Sequence, residues 1–244
     1  MCQPFCHARG GIVFPEEPGQ NILLDYLYGG AIPLRARLPL TEIFNRMVLY
    51  HEAFGHGTES AATAHNLNIN RELRADIAAI VGICRDTGGT KAAQALIAIR
   101  NLSVLRLIHP GYRPDPRLPA DPAFYAIGPA LRQVLSIVEQ NLASIREMDD
   151  ASLLGFINRT SAKFEMDAAG FTFQKNALLE ARIIGLDAAR GRTDRLDELK
   201  AHNPPLGRQA RHWRHLAAEA LCHLFEVEPP RAARCKAPGP APKP

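Results

Sequence analysis

Two histidines enclose a glutamate in the segment HEAFGH, which gives His51, Glu52 and His56. Neutral imidazole nitrogens are common ligands of divalent metals. A glutamate next to a metal ligand is well placed to act as a general base toward water. The segment therefore predicts a metal centre in which His51 and His56 bind the ion and Glu52 is the catalytic base.

The spacing of the two histidines decides whether they can share a metal. Side chains five residues apart on an ideal α-helix are separated by about 140°, so His51 and His56 would point in different directions. A π-helical turn with i→i+5 hydrogen bonds absorbs the additional residue and returns both histidines to one face. Gly55 would ease this distortion because it has no Cβ. The spacing predicts such a turn near Phe54 and Gly55, with the ring nitrogens about 3–4 Å apart.

Carboxylates for the same site lie in a second segment, which has the pattern of an amphipathic helix. Glu72 and Asp76 are four residues apart, so they share a helical face. They border an apolar stripe made of Leu73, Ile77, Ile80, Val81 and Cys84. Carboxylates beside a buried stripe need a cation or hydrogen-bond donors. We therefore predict that Glu72 is the third metal ligand and that Asp76 accepts a hydrogen bond from the far nitrogen of a ligand histidine.

Both segments resemble motifs of zinc peptidases. HEAFGH is similar to the HExxGH motif of the dipeptidyl peptidase III family, and ELRAD at residues 72–76 matches the later part of that family's EExRA-acid motif. Arg71 stands in place of the first glutamate. The short interval between the segments is more similar to thermolysin-type gluzincins, in which a helix reading NExxxD follows closely. The resemblance covers residues 41–85 and implies a gluzincin-like zincin metallopeptidase with zinc as its cofactor.

Residues that stabilise an oxyanion are also expected in a zinc hydrolase. Thermolysin-like enzymes use a tyrosine and a histidine in this role. The candidates flank a proline-rich loop and are His109, Tyr112 and Tyr125, of which we select Tyr125.

Other residues near the motifs could take part in the site. His65 is an alternative third ligand, although it lies fourteen residues after His51, beyond the offset of the pattern HExxHxxGxxH. Glu59 follows the histidine motif too closely to come from a separate helix. Arg74 points away from Glu72 and Asp76 by helical geometry, so we expect it to be solvated or ion-paired.

Weaker candidates lie at the two ends of the chain. Cys2, Cys6 and His7 could contact a metal but have no evident fourth partner. His212, His215, Glu219 and His223 recur at helical spacing around Trp213. Arg208, Arg211 and Arg214 form a basic stripe, for which a solvated face is a simpler interpretation than phosphate binding.

Composition limits the class of protein. The 244 residues are 46% hydrophobic and 22% charged, which is ordinary for a globular protein. A net charge of +4 is too small to indicate nucleic-acid binding. No apolar run approaches the roughly 18–20 residues of a membrane span, and no signal-peptide core is evident. Five scattered cysteines fit a reducing compartment, so we expect a cytoplasmic protein.

The pattern along the chain predicts a mainly α (α+β) fold, a zincin-like helical domain with a small N-terminal β-sheet. Residues 1–228 would form a single metallohydrolase domain, with the site core at 41–85 and a helical remainder at 90–228. Short strands are predicted at 11–14 and 31–38, and helices begin near Thr41 and within the Glu72 segment. Further helices are predicted at 91–108, 123–148, 151–161, 176–189 and 206–225. Residues 229–244 form a Pro/Ala-rich tail that we expect to be disordered.

The sequence thus predicts a zinc metallopeptidase acting on a peptide or protein substrate. Two alternatives from other classes remain open: a non-catalytic helical interaction protein with a structural metal or none, and a basic nucleic-acid-associated module. An open metal position facing Glu52 would favour the enzyme, whereas a fourth protein ligand would favour a structural site. Strongly salt-dependent binding to DNA or RNA would favour the third possibility.

Overall fold

A computed structural model describes residues 5–6, 12–13, 41–59, 67–108 and 122–224, and these residues are mainly helical, as the sequence predicts. The two strands β1 (Phe5–Cys6) and β2 (Ile12–Val13) pair antiparallel. This two-residue pairing is too short to establish the predicted N-terminal sheet. The predicted strand at 31–38 and the tail at 229–244 lie outside the described residues, so both stay predictions.

The described residues from 41 onward are mostly helical. Helix α1 (Thr41–Leu49) continues directly into a π-helix (Tyr50–His56). The remaining α-helices are α2 (Asn68–Thr87), α3 (Lys91–Ile108), α4 (Gly128–Gln140), α5 (Leu142–Glu147), α6 (Asp150–Ala162), α7 (Ala168–Ala189), α8 (Arg195–His202) and α9 (Pro204–Leu224). A 3-10 helix (Pro122–Tyr125) precedes α4.

Helix α2 is the central element of the fold. It packs against the π-helix and against α1, α3, α4, α5 and α6, and its residues from Leu73 to Cys84 are all buried. A helix that is apolar on nearly all sides belongs in a core. Gly88 ends α2 in the left-handed conformation, with a φ of 66°, and its N–H donates to the Cys84 carbonyl oxygen. This central helix carries Glu72 and Asp76, so the core itself holds the two carboxylates in place.

Two apolar clusters form the core. The first surrounds α2 and includes Met47, Ile77, Leu131 and Leu153. The second lies around the buried indole of Trp213 on α9 and includes side chains from α7 and α8. The π-helix belongs to the first cluster through Tyr50. Of the described helices, none combines the length and apolar character that crossing a membrane requires.

Several predicted helix boundaries were wrong. The predicted helix at 123–148 is interrupted at Ala126 and again at Asn141. Pro129 sits in the first turn of α4, where its missing N–H is tolerated, but it could not continue a helix arriving from residue 125. Helix α7 begins at Ala168, eight residues before the predicted start at 176. Helix α8 was not predicted because Leu196 and Leu199 are its only large apolar residues.

Candidate metal centre

The two histidines of the HEAFGH segment lie on the π-helix that their spacing predicts. At its end, the Gly57 N–H donates to the Glu52 carbonyl oxygen, an i→i+5 bond of 2.7 Å. The imidazole rings of His51 and His56 are nearly perpendicular, at 82°, and their centroids are 4.9 Å apart. The prediction of a widened helical turn is confirmed, and it brings the two rings to the same side.

Glu72 of α2 completes a group of three potential ligands. Its carboxylate oxygens lie 3.7 Å from Nε2 of His51 and 3.7 Å from Nε2 of His56. One ligand atom from each residue lies within 4.8 Å of those of the other two. Bonds of about 2.1 Å in tetrahedral geometry would place ligand atoms about 3.4 Å apart. Among the described residues, this is the one group of three or more histidine, cysteine or acidic side chains that could hold a metal ion.

Asp76 fixes the orientation of the His51 ring. Nδ1 of His51 lies 2.9 Å from Oδ1 of Asp76, the hydrogen bond expected from the sequence. An ionised carboxylate only accepts hydrogen bonds, so Nδ1 carries the proton and the Nε2 lone pair faces Glu72. Burial would raise the pKa of Asp76, but the Arg100 guanidinium and the His51 hydrogen bond outweigh it and lower the pKa to about 2. Asp76 therefore stays ionised, and His51 stays in the tautomer that binds metal through Nε2.

Arg100 of α3 is a site residue that the sequence analysis missed. Its Nε and Nη2 donate to the two carboxylate oxygens of Asp76 at 2.5 and 2.6 Å. Its Nη2 also lies 3.9 Å from Oε2 of Glu72. A signal was present: Arg100 is three residues from Ile97 and four from Val104, and both are buried. An arginine on the buried face of a helix needs acidic partners, but the sequence does not say which ones.

Tyr125, the predicted oxyanion-stabilising residue, lies beside Arg100. The guanidinium carbon of Arg100 is 4.9 Å from the centroid of the Tyr125 ring. This places Tyr125 next to the residue that contacts both carboxylates, at the end of the 3-10 helix before α4. The other candidates, His109 and Tyr112, lie outside the described residues, as does the alternative ligand His65.

Burial sets the electrostatics of the ligands. Desolvation lowers the pKa of His56, and the nearby His51 lowers it further, whereas Glu52 acts in the opposite direction. The neutral imidazole, which is the ligand form, is thereby favoured. Desolvation also raises the pKa of Glu72, although Arg100 and His51 oppose this effect. A cation between the three side chains would compensate the desolvation of the Glu72 carboxylate.

The expectation that Arg74 is solvated or ion-paired was wrong. Arg74 is 1% exposed. Its Nη1 donates to the carbonyl oxygens of Phe54, at 3.2 Å, and Gly55, and its Nη2 donates to Oγ1 of Thr58 at 2.7 Å. Its Nε donates to Oδ1 of Asn158 on α6 at 3.0 Å. The turn of α2 that directs Arg74 away from the carboxylates thus directs it into the end of the π-helix.

The sequence suggested that Gly55 eases the π-helical turn because it has no Cβ, and the structure shows a packing role for the missing Cβ. Its φ is not positive, so it does not supply an unusual backbone conformation. A Cβ at Gly55 would lie 2.5 Å from Cα and 2.6 Å from Cβ of Ala75. The π-helix and α2 therefore touch backbone to backbone at this point. Glycine allows the close approach that brings His56 within reach of Glu72.

The weaker candidates do not join this site. His212 and His215 are exposed on α9, and the side chains of Glu219 and His223 lie outside the described residues. Arg208 and Arg211 are also exposed. Cys2 and His7 lie outside the described residues, and Cys6, in β1, has no described side chain. Within the described part of the chain, the metal centre thus depends on the π-helix and α2.

Comparisons of the chain with protein-family models, with curated proteins and with solved structures found no match. The functional interpretation consequently depends on the site itself.

Proposed function

We propose that the protein is a zinc-dependent metallopeptidase that hydrolyses peptide bonds. The observation that carries the proposal is the convergence of Nε2 of His51, Nε2 of His56 and the Glu72 carboxylate, with Asp76 holding His51 in the required tautomer. Two imidazoles and one carboxylate are the donor set of catalytic zinc sites, which keep a further position open for water or substrate. The donor chemistry therefore fits zinc.

Glu52 is the residue to which we assign proton transfer. When bound, zinc would act as a Lewis acid that lowers the pKa of water and polarises a carbonyl group. Glu52 would accept a proton from the attacking water and deliver it to the leaving amine. The proposal is supported by the position of Glu52 next to His51 in the π-helix and by its charge, which raises the pKa of His56. Tyr125 is our candidate for donating a hydrogen bond to the oxyanion.

The nature of the substrate follows from the resemblance of the motifs to those of zinc peptidases, so we propose a peptide or protein substrate. The low and scattered cysteine content supports a cytoplasmic location.

The test combines metal analysis with one conservative substitution. Purified wild-type protein should retain about one zinc per chain, and His51→Ala, His56→Ala and Glu72→Ala should each lose most of it. Glu52→Gln keeps the size of the side chain and removes the base. It should retain zinc but cleave a mixed peptide library at least about a hundredfold more slowly, measured by mass spectrometry.

Glu42→Gln is the matched control, because Glu42 lies on α1, is exposed and pairs with Arg46 of the same helix. It should leave both zinc content and turnover unchanged. Full activity of Glu52→Gln would contradict the mechanism even with zinc present. Zinc retention without cleavage of any peptide by the wild-type protein would favour a structural metal.

A further inference from the structure

The C-terminal end of the π-helix receives a buried cation. Backbone carbonyls at the end of a helix lack partners within the helix and carry partial negative charge. Here the carbonyl oxygens of Phe54 and Gly55 both accept from Arg74. The remaining hydrogen-bond partners of Arg74, Thr58 and Asn158, are neutral side chains, and the charge of Glu59 acts on it without a hydrogen bond. A buried guanidinium has lost its hydration, so its N–H groups need protein acceptors. These acceptors together fix its position.

The Gly55 carbonyl is directly linked to a metal ligand. The Gly55 carbonyl and the His56 N–H belong to one planar peptide group. A hydrogen bond that fixes this carbonyl also fixes the orientation of the plane, which contains Cα of His56, and so restricts the direction in which the His56 side chain leaves the backbone. Arg74 thereby acts on His56 without touching its ring.

The two ligand histidines differ in how their rings are held. Nδ1 of His51 is bonded to Asp76. Nδ1 of His56 is buried and has no hydrogen-bond partner among the described residues. A ligand histidine usually has a hydrogen bond on its second nitrogen that fixes the ring. For His56, the described structure shows a hydrogen bond to the preceding backbone carbonyl, from Arg74, and none to the ring nitrogen.

We propose that Arg74 is a positioning residue for His56, and that it sets the second histidine of the metal site through the Gly55 peptide group. The proposal rests on the proposed function in that His56 is taken as a metal ligand. Its structural part, the orientation of His56, is measurable without metal.

The decisive experiment is nuclear magnetic resonance of the metal-free protein. Arg74→Met should change the ring signals of His56 and should accelerate hydrogen exchange of the Gly57 amide, whose bond to Glu52 closes the π-helix, by about tenfold or more. The His51 ring signals should remain unchanged. Arg74→Lys should restore part of the wild-type behaviour, because an ammonium can reach one carbonyl but cannot reproduce the guanidinium geometry.

Two further variants complete the test. Arg85→Met is the matched control: Arg85 is also on α2 and bonds to Tyr50 and Asp150, but at the other end of the π-helix. It should leave the His56 signals and Gly57 exchange unchanged. Asn158→Ala removes one hydrogen-bond partner of Arg74. It should change the His56 ring signals and the Gly57 exchange rate in the same direction as Arg74→Met, but to a smaller extent. If Arg74→Met does not fold, Asn158→Ala carries the measurement.

Zinc titration then links the position of His56 to binding. Arg74→Met should weaken zinc affinity by about 10- to 100-fold in the wild-type background. When it is added to His56→Ala, zinc affinity should not fall below that of His56→Ala alone. A further tenfold loss in His56→Ala, or unchanged His56 signals in the metal-free variant, would overturn the proposal. Absence of zinc binding by the wild-type protein would contradict the proposed function, while the metal-free spectra would still decide the role of Arg74.

Discussion

The Asp76 carboxylate accepts hydrogen bonds from two side chains. It accepts from His51 on the π-helix and from Arg100 on α3, and it is fully buried. Removing one member of a buried ion pair leaves the other charge uncompensated, which typically costs about 3–5 kcal/mol. The same carboxylate thus links the folding of three helical segments to the tautomer of a candidate metal ligand.

We therefore predict two separable effects of Asp76→Asn. Zinc affinity should fall by about 10- to 100-fold, because an amide does not impose the Nδ1-protonated tautomer on His51. The free energy of unfolding of the metal-free protein should also fall, because Arg100 loses its partner. Zinc titration and chemical denaturation measure the two quantities.

A double variant separates these effects. Asp76→Asn combined with Arg100→Met removes both charges and should recover part of the lost stability, but it should not recover zinc affinity. Recovery of zinc affinity in the double variant would contradict the role assigned to Asp76.

Some of these residues could be predicted from the sequence and others could not. Glu72 and Asp76 follow from their four-residue spacing on one helical face, and His51 and His56 follow from a five-residue spacing that a π-helical turn brings to one side. Arg100 could not be assigned, because its contact with Asp76 depends on how α3 packs against α2.

Arg74 was misjudged for a related reason. Its direction along α2 was correct, but what lies there depends on the path of the π-helix. Arg74 and Asp76 are the only charged residues between Leu73 and Cys84, and in so apolar a stretch both need partners.

The site depends on the close packing of the π-helix against α2. Gly55 contacts Ala75 at one end of the crossing, and the Tyr50 ring lies directly on Gly82 at the other. Tyr50 also donates to Asp86 at 2.9 Å. The two helices are therefore in contact directly before each histidine, which fixes the distance from His51 and His56 to Glu72.

Gly55→Ala tests this contact. The new methyl group would meet the backbone of Ala75, which cannot move aside as a flexible side chain can. We expect a loss of about 1–3 kcal/mol in the free energy of unfolding, measured by chemical denaturation. Zinc affinity should fall as well, because relief of the overlap separates the histidines from Glu72.

Gly89→Ala is the control, since a Cβ at Gly89 would meet no atom within 4 Å and its φ is not positive. It should change stability by less than about 0.5 kcal/mol and leave zinc affinity unaltered. Equal effects of the two substitutions would show that close packing at Gly55 is not what holds the site together.

Helices with a clear apolar periodicity were predictable from the sequence. Helix boundaries that depend on a single residue were not. Helix α3 has the predicted bounds, 91–108, and α6 and α9 begin and end within two residues of the predicted positions. The 123–148 prediction failed at Ala126, just before Gly128-Pro129, and again at Asn141, because the apolar pattern was weighted above these turn signals. At Gly128 the chain also packs closely against Asn101 of α3, a long-range contact that no local pattern encodes.

At the scale of the whole molecule, the candidate metal site joins the end of the chain segment 41–59 to the central helix. His51 and His56 lie on the π-helix and Glu72 on α2. An ion bound to both elements stabilises the folded state by mass action, by about 2.7 kcal/mol at a free zinc concentration one hundred times the Kd.

We predict that this zinc concentration raises the Tm of the metal-free protein by about 5–10 °C, given about 2–4 °C per kcal/mol for a chain of this size. Differential scanning calorimetry checks the shift. Glu52→Gln should show the same shift, and His56→Ala should lose most of it. An equal shift in His56→Ala would mean that zinc binds elsewhere.

The π-helix also determines what changes of length the site can tolerate. Because the π-helical turn absorbs one additional residue, deleting one residue between the histidines would give the common four-residue spacing of a regular helix and leave the upstream residues facing nearly the same way. Met47 and Tyr50 would stay buried in the core, and Leu49, which is 44% exposed, would stay on the outer face. A lineage could therefore exchange the five-residue spacing for the four-residue spacing without rebuilding the buried face of α1.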